Sequence, residues 1–228
     1  MLLFILRERV LLDKYFVYFP DPNLAHTPSN IGLDYEDVYF TTKDGYKLHG
    51  WFIPGKNDFT FVWFHGNAGN IGDRLDYIEL LHHNVGAGIL IFDYRGYGLS
   101  DGAPSEPGLH LDGQAAIEFL TAHYYPESSP ENIILLGRSL GSAVAIKLAS
   151  LYDVRSLVVE APFTSIGALA KHNHPYLPEV LLNRILKARY DSRVNMKSLQ
   201  VPLMVIHGGR DSVVPITMGR ALYESADV

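Results

Sequence analysis

The chain has 228 residues, 47% of them hydrophobic, 12% aromatic and 19% charged, a composition that buries a sizeable core in one domain and excludes a disordered or linker role. Its net charge of −6 gives phosphate backbones no general attraction, which argues against nucleic acid as a partner. The absence of cysteine excludes disulfides, thiolate metal sites, iron–sulfur clusters and cysteine nucleophiles, and leaves the compartment open.

Residues 1–6 are apolar, but Arg7, Glu8 and Arg9 follow at once, so the stretch is far shorter than the roughly 20 apolar residues of a spanning helix. It also lacks the leading positive charges and small cleavage-site residues of a secretory signal. The segment 1–33 reads as a helix followed by extended chain. Leu2, Leu3, Leu6, Val10 and Leu11 with Tyr15 form either a short helix packed on the domain or an apolar stripe that brings residues 1–16 onto a bilayer, or else the tail of a longer anchor. The expected location is accordingly the cytoplasm or a membrane surface.

The main domain is expected over 34–228. Residues 35–42 and 46–53 are aromatic and β-branched runs joined by Lys43-Asp44-Gly45, a hairpin signal. Short apolar runs follow at 59–64, 88–92, 133–136, 157–159 and 203–206, as expected of parallel strands covered on both faces. Between them, residues 71–83, 109–124, 142–151 and 216–224 repeat apolar side chains at three and four, as Leu75, Ile78 and Leu81 do, which marks amphipathic helices. Strand–helix alternation of this kind builds β-α-β crossovers and an α/β fold. Residues 163–191 are the irregular part, with a helical piece at 179–187 after Pro178, and read as a lid-like connection. Phe163, Tyr176, Leu177 and Leu181 would serve there as an apolar acyl pocket or as core packing.

Gly137-Arg138-Ser139-Leu140-Gly141 matches G-x-S-x-G between an expected strand and an expected helix, the context that gives the motif meaning. A sharp turn would hold the Ser139 hydroxyl above the strand ends, and a Cβ at either flanking glycine would clash. The Leu140 N–H, at the start of the helix, would stabilise a negative oxygen together with the helix dipole. A second small-residue turn, His65-Gly66-Asn67-Ala68-Gly69-Asn70, follows the strand 59–64 at the same sheet edge, where open α/β sheets bind ligands. The Asn67 N–H is the expected second oxyanion donor, with Ala68 the close alternative. His65 is either a general base or a hydrogen-bonded brace. The turn carries no phosphate-binding glycine pattern. His207-Gly208-Gly209-Arg210-Asp211 follows the strand 203–206, so Asp211 reaches the same edge. There it would act as the acid that orients a base or as the N-cap carboxylate of a helix starting at Val213.

These motifs, with Phe92-Asp93-Tyr94-Arg95-Gly96-Tyr97-Gly98-Leu99-Ser100, resemble the α/β-hydrolase superfamily from about residue 34 onward. More narrowly the chain is similar to the serine hydrolases that often carry an N-terminal membrane anchor and include depalmitoylating thioesterases. The resemblance implies a mostly parallel sheet with helices on both faces and an antiparallel N-terminal strand pair. It implies Ser139 as nucleophile, Asp211 as acid, Leu140 and Asn67 as oxyanion donors, and a loop at 93–100 near the site. Neither a cofactor nor a metal is implied. The expected activity is cleavage of a carboxylic ester or thioester in a small-molecule or acylated substrate through an acyl-enzyme. A peptidase using the same groups and a non-catalytic hydrolase-like binding protein are the alternatives.

The family order is Ser, Asp, His, and no histidine occurs in the 17 residues after Asp211. The first expectation is that the sequence is a fragment whose last strand and catalytic histidine are absent, leaving an unprotected strand edge open to pairing. Otherwise His172 or His174 substitutes, their His-Asn-His spacing marks a metal pair, or the chain is not a hydrolase.

Overall fold

The computed structural model describes residues 13, 16–125, 132–176, 178 and 186–228. Its centre is a seven-stranded sheet. The strands are β1 (Phe19–Pro20), β2 (Glu36–Thr41), β3 (Lys47–Ile53), β4 (Thr60–Phe64), β5 (Ala68–Gly69), β6 (Gly88–Phe92), β7 (Ile133–Arg138), β8 (Ser156–Glu160) and β9 (Leu203–Ile206). All but β1 and β5, which pair with each other, join the main sheet in the order β2-β3-β6-β4-β7-β8-β9. β3 is antiparallel to both β2 and β6, and from β6 to β9 every neighbour is parallel. The hairpin turn forms at the expected place: Gly45 takes φ 88°, and the Thr42 hydroxyl donates to Asp44 Oδ1 at 2.7 Å.

The helices are α1 (Leu75–Val85), α2 (Glu106–Tyr124), α3 (Leu140–Ala149), α4 (Ile166–Asn173), α5 (Ser192–Met196) and α6 (Ile216–Ser225). On one face of the sheet α1 covers Trp51, Trp63, Ile89 and Ile91. On the other, α2, α3, α5 and α6 cover Val62, Phe64, Phe92, Leu135 and Leu157 with Leu109, Val144, Met196 and Leu222. A sheet wrapped this way buries alternate side chains into two separate cores, which is why the central strands β4 and β6 are apolar throughout.

Coverage on both faces does not extend to the end of the sheet. Met204 and Ile206 of β9 remain 58% and 43% exposed, because α1 lies over the central strands and no described helix reaches that face of β9. Several helix starts also differ from the periodicity. α2 begins at Glu106, where the Ser105 hydroxyl accepts the Gly108 N–H, since the first turn carries Pro107 and Gly108 rather than apolar residues. The expected helix 71–83 divides into a 3₁₀ turn (Ile71–Arg74) and α1. The connection 163–191 contains α4, capped by Ser165, whereas the helical piece expected at 179–187 lies outside the described residues apart from Leu186 and Lys187. Of the residues expected on a bilayer, only Asp13 and Phe16 are described. Among the described residues no helix is long and apolar enough to cross a membrane.

Candidate active site

The β7–α3 turn places Ser139 at φ 51° and ψ −114°, a left-handed conformation that costs a residue with a Cβ about 1–3 kcal/mol. Surrounding bonds hold it there. The Ser139 N–H donates to Glu160 O at 2.9 Å, and the Ser142 N–H donates to Ser139 O at 2.9 Å. The Ser142 hydroxyl reaches Gly137 O at 2.8 Å and Glu160 O at 3.0 Å. The glycines have steric reasons: a Cβ on Gly137 would stand 2.6 Å from Gly141 O, and one on Gly141 would stand 1.9 Å from Phe64 O. Glycine at both positions therefore lets α3 run against β4 and β7.

The turn after β4 lies beside this one. A Cβ built on Gly66 would lie 3.9 Å from the Ser139 Cβ, so the Asn67 segment and Ser139 share one end of the sheet. Among the described residues, no acceptor faces the backbone N–H of Asn67 or that of Leu140. The Asn67 carbonyl, by contrast, is doubly held, by the Phe19 N–H at 2.9 Å and the Tyr97 hydroxyl at 2.9 Å. Its side-chain amide donates to Val17 O at 3.2 Å.

His65 is fully buried, with Nδ1 bonded to Gly66 O at 2.7 Å. Burial, with the nearby charge of Arg74, pushes its pKa down to about 3, so the ring is neutral and braces the turn. The base reading for His65 does not match this geometry. Tyr94 and Tyr97, which sequence reading left without roles, come from the 93–100 loop, and the Tyr94 hydroxyl donates to His65 O at 3.2 Å. Arg95 locks that loop in place through Asp112 and Asp44, with bonds of 2.8–3.0 Å.

Asp211 follows β9, two strands from β7, on the same edge. Its Oδ1 accepts the Val213 and Val214 N–H groups, both at 2.9 Å. Because α6 begins only at Ile216, this carboxylate closes a turn rather than capping a helix. Burial acts to raise its pKa, but those two N–H groups and the charges of His207 and Arg138 hold it below the usual carboxylate range. Oδ2 has His207 Nε2 4.0 Å away. That ring is committed elsewhere: Nε2 lies 2.8 Å from Val214 O, and Nδ1 is buried against α6 at Gly219. His172 and His174 are both exposed at the end of α4. Among the described residues, which include all ten histidines, none hydrogen-bonds Ser139, and no third His, Asp or Glu joins the 172/174 pair to hold a metal ion.

Residues 49–210 match the model of the alpha/beta hydrolase family. The chain belongs to that family. Over 217 residues it is 37% identical to the uncharacterized protein Rv2307c of Mycobacterium tuberculosis, covering 94% of this chain and 75% of that one. It is 32% identical to the alpha/beta hydrolase domain-containing protein WAV2 of Arabidopsis thaliana, covering 95% and 76%. Among solved structures, the Pyrococcus furiosus esterase Pf2001 superposes with a TM-score of 0.75 at 27% identity, covering 92% of this chain and 82% of that one. The mostly parallel sheet of this chain, with antiparallel strands on its N-terminal side, is that of the alpha/beta hydrolase fold.

Proposed function

We propose that this hydrolase cleaves carboxylic ester or thioester bonds through an acyl-enzyme on Ser139. The observation that carries the reading is the conformation of Ser139 itself. A strained backbone, held by two hydrogen bonds of its own and two of the Ser142 hydroxyl, sits where two N–H groups without an acceptor among the described residues, those of Leu140 and Asn67, start from adjacent turns. Such strain persists at sites that use it. The similarity to an esterase supports the same chemistry.

In this reading the Ser139 oxygen attacks the acyl carbon, and its proton passes to a base oriented by Oδ2 of Asp211, an oxygen with no hydrogen bond among the described residues. The Leu140 and Asn67 N–H groups and the N-terminus of α3 hold the oxyanion. The alcohol or thiol leaves with the proton, and water then releases the acid and restores the hydroxyl. Of the side chains expected in the 163–191 connection for an apolar acyl group, Phe163 packs in the core and Tyr176 is exposed, while Leu177 and Leu181 lie outside the described residues. The substrate is a small molecule or an acylated protein, and residues 1–16 are the part that would meet a bilayer. A second reading, a binding protein without turnover, is favoured by one observation: no histidine is bonded to Ser139 or within hydrogen-bond distance of Asp211.

Mass spectrometry of the 228-residue protein after fluorophosphonate treatment separates the two. Labelling confined to Ser139 and abolished by Ser139→Ala is the expected result. An unlabelled protein that is demonstrably folded overturns turnover by these 228 residues themselves and leaves them as a fragment or a binding protein.

A further inference from the structure

The N-terminal segment lies against the proposed oxyanion turn rather than beside the domain. Residues 17–23 run along it: Phe19 and Pro20 pair in register with Ala68 and Gly69. Val17 O receives the Asn67 amide, and the Phe19 N–H holds the Asn67 carbonyl. Further along, the Asp21 N–H donates to Gly69 O at 3.2 Å, and the Asn70 amide bonds both Asp21 O and Asn23 O.

The same segment also grips the far end of the lid-like connection. The buried Asp13 carboxylate accepts the N–H groups of Lys187 and Ala188 at 2.8 and 2.9 Å, and the Tyr18 hydroxyl meets the Tyr190 hydroxyl at 2.9 Å. Tyr190 is fixed from its other side by Glu106 at the start of α2. Val17 and Tyr18 are themselves buried in the core, so the segment is anchored between its two sets of bonds.

We infer that Asp13 and residues 16–23 form a positioning strap that sets the Asn67 turn for catalysis and ties it to residues 187–190. The physical reason is that a trans peptide is planar. Fixing the Asn67 carbonyl orients the 67–68 peptide and with it the Ala68 N–H, the alternative donor, while the Asn67 N–H lies in the preceding peptide and is positioned through residue 67 itself, whose side-chain amide is bonded to Val17 O. A donor that must meet a developing charge gains from being held before the reaction begins. This inference rests on the proposed function of the Asn67 segment as an oxyanion hole, and Asp13 with residues 16–23 acts through that segment without touching substrate.

Phe19→Pro removes the N–H that holds Asn67 together with the half-exposed ring and fixes φ at that position, and Phe19→Ala removes the ring but keeps the N–H as the control. With p-nitrophenyl acetate and active sites counted by fluorophosphonate, Phe19→Pro is expected to lower kcat by about 10- to 100-fold with KM within about twofold. Phe19→Ala should stay near the parent in both. Asn67→Ala, which keeps the backbone N–H and loses the bond to Val17, should shift kcat in the same direction and serves if Phe19→Pro fails to fold. Hydrogen exchange over residues 67–70 reads the strap without turnover and should quicken in Phe19→Pro but not in Phe19→Ala. Equal kcat in Phe19→Pro and Phe19→Ala, or unchanged exchange, overturns the strap. A parent that binds no fluorophosphonate and hydrolyses nothing overturns the catalytic role together with the proposed function, whereas an active parent with an indifferent Phe19→Pro overturns the strap alone.

Discussion

His65 and Asp93 close the ends of β4 and β6 with both side chains fully buried and His65 Nε2 3.7 Å from Asp93 Oδ1. Among the described residues neither His65 Nε2 nor Asp93 Oδ2 has a hydrogen-bond partner, and burial favours the neutral form of both groups. Burial, with Arg74, lowers His65 to about 3, and burial raises Asp93 to about 8 against the Ile71 N–H and Arg74. The consequences for stability have opposite signs. Below about pH 6.5 the unfolded chain protonates its histidine while folded His65 does not, so stability falls with falling pH until about pH 3. Above about pH 4 the unfolded chain loses the Asp93 proton while the folded one keeps it, so stability falls with rising pH until about pH 8. The two cancel between about pH 4 and 6.5, and from about pH 6.5 to 8 the Asp93 effect acts alone, at up to about 1.4 kcal/mol per pH unit. Asp93→Asn keeps the acceptor for Ile71 and removes the titration. Its melting temperature should lack that component of the loss between pH 6.5 and 8, and a variant that loses as much stability as the parent would refute the assignment.

At the scale of elements, the approach of α3 to β4 decides where the nucleophile turn sits. The G-x-S-x-G spacing implies that the glycines flanking Ser139 leave no room for a Cβ, and the fold supplies the partner they meet. The partner is the backbone of β4, since a Cβ on Gly141 would come within 2.4 Å of the Phe64 carbonyl carbon and 2.6 Å of His65 O. Gly66, one strand away, would meet only ordinary contacts at 3.8 and 3.9 Å. Gly141→Ala is therefore expected to destabilise the fold by about 3 kcal/mol or more, whereas Gly66→Ala should cost less than about 1 kcal/mol. Urea unfolding of both variants checks the contrast, and equal midpoints would contradict it. The strand pattern, the hairpin and the four motifs were legible because each is written in local spacing. The helix α4 and the pairing of β1 with β5 were not: α4 sits in a connection without a clear apolar period, and two residues of strand carry no period at all.

For the whole molecule, the sheet ends on β9, an edge strand that keeps an exposed apolar face at Met204 and Ile206, with Val213 also exposed nearby in the chain. Unpaired N–H and C=O groups beside apolar side chains recruit other strands. The 228-residue chain should self-associate in light scattering, and Ile206→Lys should raise the monomer fraction by placing a charge on that face. A parent protein that is monodisperse and monomeric across micromolar concentrations would remove the argument. The sequence anticipated the exposed edge, but it also expected both faces of every parallel strand to be covered, which fails where α1 stops over the central strands.

The sequence by itself determined the α/β architecture, the G-x-S-x-G turn and the arrival of Ser139, Asn67 and Asp211 at one sheet edge, because strand direction and motif position are local properties that a parallel sheet converts into a shared edge. Only the tertiary structure decided what surrounds them. It made His65 a neutral brace, committed His207 to Val214 and α6, turned Asp211 into the closure of a short turn, and laid residues 17–23 along the Asn67 segment. Each of those outcomes depends on contacts between residues distant in the chain, such as Tyr18 with Tyr190 and Phe19 with Asn67. Burial and bond partners of that kind are set by packing, which leaves no periodic trace in the sequence.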